Sequence, residues 1–260
     1  MSNILISDKA SVSPQAVIGK NVSIGPFTVI ENGVNIDDNS EIHSSVIIHS
    51  GTSLAAGVKV FHSAVLGAEP QDLKFSGENT TVEIGEKTVI REFATISRGT
   101  TARMKTVIGS KCYIMSYVHI PHDSVIGNNI IISNATNMGG HVNIDDWAII
   151  GGMVGIHQFV HIGAHSFIAF GARVTQDVPP YILAGGSPLG YKGLNVVGLK
   201  RRGFTDEQIR NIKNTYNIIY GSEYNITDAV KAVKDAVQMT DEVKNIITFI
   251  EQSERGIIRK

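Results

Sequence analysis

Every sixth residue from Val12 to Leu66 is aliphatic: Val12, Ile18, Ile24, Ile30, Ile36, Ile42, Ile48, Leu54, Val60 and Leu66. The register lapses, returns at Ile84, Ile90 and Ile96, and runs again from Ile108 to Val174. Two residues before each of these positions stands a small or β-branched side chain, as in Val22, Thr28, Val34, Ser40, Cys112 and Ala148. A spacing of two puts both residues on one face of a strand. A spacing of six does not match the helical repeat, so these segments are not helices. A β-sandwich would give turn signals about every 8–12 residues rather than at a fixed shorter interval.

The reading is a parallel β-helix. Each hexad forms one side of a triangular coil of 18 residues, and adjacent coils stack at about 4.8 Å. One coil cannot bury its apolar face alone, so stability accumulates between neighbours along the prism. Gly follows many of the aliphatic positions (Gly19, Gly25, Gly85, Gly109, Gly127), with Asn and Asp nearby. These residues are expected to turn the corners.

Two stretches break the repeat, 67–83 and 97–107. Insertions in a solenoid emerge as loops, often on the binding side. The second stretch reads as a plain surface bulge over 102–106. The prism is expected to span residues 1–180, ending at Pro179-Pro180, because proline cannot donate to a ladder. An irregular connector follows over 181–204, then a helical domain over 205–260. Thr205 with Gln208 makes a capping box for its first helix, Thr227 is placed as the cap of the second, and the third runs from 241 to 254.

Charge excludes one class of partner. Lys and Arg number 23 against 24 Asp and Glu, a formal net charge of -1. Such a balance argues against a nucleic-acid-binding role. Cys112 is the only cysteine, which excludes an internal disulfide and a thiolate zinc cage. The first nine residues lack the basic and apolar blocks of a secretory leader, and no apolar run reaches the ~20 residues of a membrane span. The expectation is a soluble, cytoplasmic chain.

The coil arithmetic also gathers chemistry. Residues 18 apart stack, so His122 lies under Gly140 and Gln158, and Asp123 lies under His141 and Phe159. Gly139 lies under His157, and His119 precedes His122 on the same coil. A single histidine would read as a solvated corner. Three in adjacent columns with an aspartate read as a site. A neutral imidazole held by a carboxylate can take a proton from a hydroxyl near pH 7. A glycine beside it leaves room for a backbone N–H to meet a developing oxyanion. These parts suit acyl transfer from a thioester.

The hexad pattern resembles the hexapeptide-repeat acyltransferases, which implies a left-handed prism, a homotrimer and sites between prisms. The crossover rule alone would have favoured the opposite hand. Seven stretches narrow the likeness: E-P-Q-D-L-K at 69–74, R-G-T at 98–100, H-I-P-H-D at 119–123, G-G-H at 139–141, I-G-G-M-V-G-I-H-Q-F at 150–159, Q-D-V-P-P-Y at 176–181 and G-L-K-R-R-G-F at 198–204. With the helical C-terminus they make the chain similar, over essentially its whole length, to the UDP-N-acetylglucosamine O-acyltransferases of lipid A biosynthesis.

That resemblance implies transfer of a 3-hydroxyacyl chain from acyl carrier protein to the glucosamine 3-hydroxyl of UDP-N-acetylglucosamine, with no cofactor or metal. It implies His122 as general base, Asp123 as its partner and Gly140 as oxyanion donor. Asp72, Lys74, His119, His141, His157 and Gln158 would line the sugar-nucleotide and acyl cleft. Asn195, Arg201 and Arg202 would lie near the uridine and diphosphate. Phe170 falls in the stretch resembling the acyl-length ruler, where a bulky ring shortens the groove. Ser97 stands where a longer polar residue is usual, which keeps a 3-amino sugar open as acceptor. Val197 stands where a carboxylate can occur. Three rivals remain on the residues alone: a zinc-dependent, carbonic-anhydrase-like prism, a coenzyme A-dependent acetyltransferase, and a non-catalytic scaffold.

Overall fold

The protein, described here from a computed structural model, is defined over residues 5–221 and 224–260. The stretch Met1–Ile4, within the segment read for a leader, lies outside them. Among the described residues, short strands stack into three sheets of eleven, nine and eight strands, the three faces of a left-handed prism. Face A runs from Leu5–Ile6 upward, face B from Ser11–Val12 and face C from Val17–Ile18. All pairings within the prism are parallel, and Val17 pairs with Asn35 and Ile18 with Ile36, eighteen residues on. The coil length read from the sequence is therefore observed.

The hexad aliphatics point inward and are buried from Ile24 to Val174. Burial of each such side chain contributes roughly 1.5–3 kcal/mol against the cost of ordering the chain. Val12 and Ile18, on the lowest described coil, remain half-buried.

The corners correct the expectation about glycine. The left-handed backbone conformation falls mainly on non-glycine residues, among them Asn39, Tyr117, Asp123, His141, Trp147 and Phe159. Each such residue costs roughly 1–2 kcal/mol, and ladder hydrogen bonds from the coil below hold it in place: Trp147 N–H donates to Asn128 O at 2.9 Å. The glycine after the aliphatic does something else. A Cβ on Gly127 would lie 2.4 Å from Asp146 Oδ1 and 2.9 Å from Asp146 N. Close approach of the next coil, not φ, requires glycine there.

Both insertions leave the prism at the edge between faces B and C. Ile84 pairs with Leu54 across thirty residues and Ile108 with Ile84 across twenty-four, twelve and six more than a plain coil. Their margins are strands, Val65–Ala68, Thr81–Ile84, Thr95–Ser97 and Lys105–Ile108, so the loops proper are 69–80 and 98–104.

The connector is ordered rather than irregular. Ile182–Gly185 continues face A beyond the two prolines, pairing with Phe167 and Ile168, and folds back antiparallel onto Gly190–Leu194. The prolines end faces B and C but precede this strand, where no donor from them is needed. Helix α1, Val196–Arg201, follows, capped by Asn195. Helices α2 (Asp206–Gly221), α3 (Ile226–Ala236) and α4 (Asp241–Gln252) close the upper end of the prism. The capping box forms: Thr205 N–H donates to Gln208 Oε1 at 2.9 Å, and Gln208 N–H to Thr205 Oγ1 at 3.2 Å. The cap of α3 is Asn225 rather than Thr227, since its side chain accepts from Asp228 N–H at 2.9 Å. Tyr216 is buried on top of the prism and donates its hydroxyl to Pro180 O at 2.7 Å. Among the described residues no helix is long and apolar enough to cross a membrane.

Candidate active site

The B–C edge carries the predicted cluster. His141 N–H donates to His122 O and Phe159 N–H to Gly140 O, each at 3.1 Å, which fixes three coils in the expected stack. The His141 and Phe159 rings lie parallel, with centroids 4.5 Å apart. The His122 ring stands edge-on to His141 at 5.2 Å.

Adjacent residues on a strand would point apart, but Asp123 occupies the left-handed corner (φ 58°), and its carboxylate swings back toward His122. His122 Nδ1 lies 2.8 Å from Asp123 Oδ2. Asp123 is fully buried and accepts three further hydrogen bonds, from Thr100 N–H at 3.0 Å, Thr100 Oγ1–H at 2.6 Å and Arg103 N–H at 3.1 Å. Burial alone would push this carboxyl up. The Thr100 hydroxyl and His122 outweigh it and hold the group below the ordinary carboxylate value. Asp123 is therefore a fixed anion, and because a carboxylate can only accept, the tautomer that suits this contact carries its proton on His122 Nδ1.

His119 and His141 are both shifted toward the neutral form. Burial lowers His141; Asp123 opposes this, and His122 and Arg103 reinforce it. Burial, with help from His122, also lowers His119, whose Nδ1 sits 2.8 Å from Thr95 Oγ1. Gly140, one coil up, passes directly over the His122 ring, and among the described residues its N–H has no backbone partner. His157 and Gln158 lie exposed one coil higher, with His157 Nδ1 3.1 Å from Gln158 O. Loop 69–80 leaves the prism at the same edge, and the charge of Asp72 favours a protonated His141. Lys74 is exposed on that loop, its N–H donating to Asp72 Oδ1 at 3.0 Å.

Other predicted residues stand elsewhere. Asn195, Arg201 and Arg202 belong to the C–A edge. Asn195 caps α1 and donates to His165 O at 2.9 Å, and Arg202 packs over Trp147 at 5.4 Å. Phe170 projects from the A–B edge, 73% exposed. One chain thus distributes the predicted site over three edges. His43, His49, His62, His161 and His165 lie outside this cluster and have other partners: Phe61, Glu31, Phe93, Asp145 and Tyr181 in turn.

Thr100 and Arg103 were not among the residues expected to serve the base. The R-G-T run drew attention to Thr100, but nothing in the hexad spacing shows that the loop folds back onto Asp123. His122, Asp123 and His141 offer ligand atoms within 4.8 Å of one another and are the one such group among the described residues. The carboxylate, however, is already engaged by four donors, a geometry suited to an oriented base.

Comparisons with known proteins identify the family. A family profile described as Udp N-acetylglucosamine O-acyltransferase, domain 2, matches residues 177–258. An acyl-[acyl-carrier-protein]--UDP-N-acetylglucosamine O-acyltransferase of Verminephrobacter eiseniae is 45% identical over the full length of both chains. This chain belongs to the UDP-N-acetylglucosamine O-acyltransferase family. Solved structures of family members superpose on it closely. The UDP-N-acetylglucosamine acyltransferase of Bacteroides fragilis is 46% identical, covers 98% of this chain and 100% of its own, and gives a TM-score of 0.96. The Francisella novicida enzyme is 37% identical, covers 98% and 94%, and also gives 0.96. Prism, connector and helical cap are accordingly shared with these two structures. Like its relatives, this chain is an acyltransferase.

Proposed function

We propose that the chain transfers a 3-hydroxyacyl group from the thioester of acyl carrier protein to the 3-hydroxyl of UDP-N-acetylglucosamine, the opening acylation of lipid A synthesis. The names of the relatives support the substrates, and the His122–Asp123 pair at 2.8 Å supports the chemistry. His122 Nε2 takes the proton from the sugar hydroxyl as its oxygen attacks the thioester carbon. The C–O bond forms, and Gly140 N–H receives the oxyanion. Collapse breaks the C–S bond, and the proton passes from His122 to the departing thiol of the carrier. Asp123 stabilises the imidazolium that exists between these steps.

The same reading assigns His119, His141, His157, Gln158, Asp72 and Lys74 to the cleft. It gives Asn195, Arg201 and Arg202 to the nucleotide, where adjacent guanidiniums suit a diphosphate. Because these groups occupy different edges of one prism, the working unit is a homotrimer in which edges of neighbouring copies meet. Both proposed substrates, an acylated carrier protein and a sugar nucleotide, are water-soluble, and the reading places the enzyme in the cytoplasm. Ser97 is buried and makes no side-chain hydrogen bond among the described residues, so a 3-amino sugar remains the second acceptor to test.

The test is turnover of 3-hydroxyacyl carrier protein with UDP-N-acetylglucosamine and with its 3-amino analogue, against wild type and His122→Gln. Wild type should turn over the first, and the variant should lose about 10²–10⁴-fold in kcat. Full activity in the variant would remove His122 from the base role. A requirement for tightly bound zinc, or a preference for acyl-coenzyme A, would favour the corresponding rival.

A further inference from the structure

The short insertion at 98–104 lies beside the base, and its contacts are directed at one residue. Three of the four donors on the Asp123 carboxylate belong to this side of the site: Thr100 N–H, the Thr100 hydroxyl and Arg103 N–H. The Arg103 guanidinium then spans the corner, with one nitrogen 3.0 Å from Asp123 O and 2.7 Å from Asn143 Oδ1. Thr100 is itself buried, and its oxygen also accepts from Ala102 N–H at 3.2 Å, which closes the turn. A plain bulge would leave its polar atoms to water. This one spends them on a carboxylate that no solvent reaches.

We propose that loop 98–104 is a clamp on the proton-transfer pair, in which Thr100 and Arg103 act as positioning residues that fix the Asp123 carboxylate and set the protonation of the imidazoles beside it. The proposal rests on His122 being the base.

Two features of the geometry make this more than packing. The Thr100 hydroxyl and His122 Nδ1 share one oxygen, Oδ2, at 2.6 and 2.8 Å. The hydroxyl therefore draws off part of the charge that would otherwise bind the His122 proton. Removing it makes Oδ2 a stronger acceptor and His122 more basic. Removing it also frees the carboxylate to rotate, so fewer encounters find Nε2 aimed at the hydroxyl. Second, the Arg103 guanidinium is tied to Asp123 O, in the coil under His141, and to Asn143, two residues beyond it, a placement that sets a positive charge against protonation of His141. The other charged or titratable groups acting on this cluster are His119, Asp72 and the two members of the pair. Asp72 and Asp123 favour a protonated His141, and Arg103 counters them.

The experiment compares Thr100→Val, Thr100→Ser, Arg103→Met and His122→Gln in the full-length protein, each checked for fold by circular dichroism. Thr100→Val should lower kcat by about tenfold or more, the scale of a lost hydrogen bond to a charged group. Its KM for the sugar nucleotide should change less than about twofold, and the acidic limb of kcat/KM should move to higher pH. Thr100→Ser keeps the hydroxyl and should restore both rate and profile. Arg103→Met should raise the midpoint of the His141 ring-proton titration read by NMR. A Thr100→Val enzyme with wild-type kcat and an unmoved limb overturns the clamp, as does an Arg103→Met protein whose His141 titrates as in wild type. His122→Gln separates the two readings. If it stays active, the base assignment fails, whereas if it is inactive while Thr100→Val is normal, the clamp alone fails. Should Thr100→Val not fold, the Arg103→Met titration decides.

Discussion

Gly140 lies so close above His122 that a methyl group on its Cα would stand 2.5 Å from Cε1 and 2.7 Å from Nε2 of the imidazole. The glycine is therefore demanded by the ring, since real Cβ atoms do not approach so near. Gly140→Ala should push the imidazole off the line between Asp123 and the substrate hydroxyl. Because the backbone at Gly140 is not in the left-handed region, the coil itself tolerates alanine. The expected outcome is a fall in kcat of about 10²-fold or more with little change in the thermal midpoint. A fully active Gly140→Ala enzyme would show that His122 can move without loss and that its position is not critical.

His165 gives a pH dependence of stability that is separate from catalysis. It stacks between Trp147 and Tyr181, and burial, aided by the charge of Arg202, lowers it from its ordinary 6.5 to about 4. The folded state therefore binds this proton more weakly than the unfolded chain does. The neutral ring's contribution is complete above pH 6.5 and is lost as pH falls from 6.5 toward 4. His165→Phe keeps an aromatic ring in the stack and removes the titration. Its thermal midpoint should change less than that of wild type across this window, as measured by calorimetry at stepped pH. Parallel curves for the two proteins would assign the acid sensitivity to other groups.

Much of this was legible from spacing. The eighteen-residue coil follows from the hexads, and with it the stacking of His122 on Gly140 and of Asp123 on His141. What spacing did not carry was direction and loop path. The hydrogen bond between neighbours His122 and Asp123 depends on a left-handed corner at 123, and corner residues here have no common side-chain chemistry. Thr100 and Arg103 reach Asp123 only because the extra residues of their coil fold inward, and nothing in a six-residue period describes residues outside it. The strand at Ile182–Gly185 was hidden by the prolines before it, a local stop signal overridden by the open edge of face A. The cap of α3 was misplaced for a similar reason, since both Asn225 and Thr227 are good caps.

Phe170 should limit acyl chain length. Its ring is exposed and stands over Gly152, where an added Cβ would come within 3.4 Å of Cδ2. If the acyl chain follows this edge, the ring closes the groove that a glycine would leave open. Phe170→Gly should then shift preference toward longer carrier-bound chains, by about fourfold in kcat/KM for each further methylene accommodated. Competition between carrier proteins loaded with different chain lengths measures this directly. An unchanged chain-length profile would place the ruler elsewhere.

Trp147 offers a direct report on the nucleotide end. It is the only tryptophan in the chain, it is 39% exposed, and the Arg202 guanidinium packs over its ring at 5.4 Å. A diphosphate that binds Arg202 must draw the guanidinium toward it and alter the field at the indole. UDP should therefore change tryptophan emission saturably, and uridine without phosphate should do so much less. Arg202→Met should abolish the emission change and weaken UDP binding by about tenfold or more, the scale of a lost charge-assisted pair. Calorimetry on the same samples provides the control. UDP binding that is tight by heat, silent in emission and indifferent to Arg202→Met would place the diphosphate away from the C–A edge.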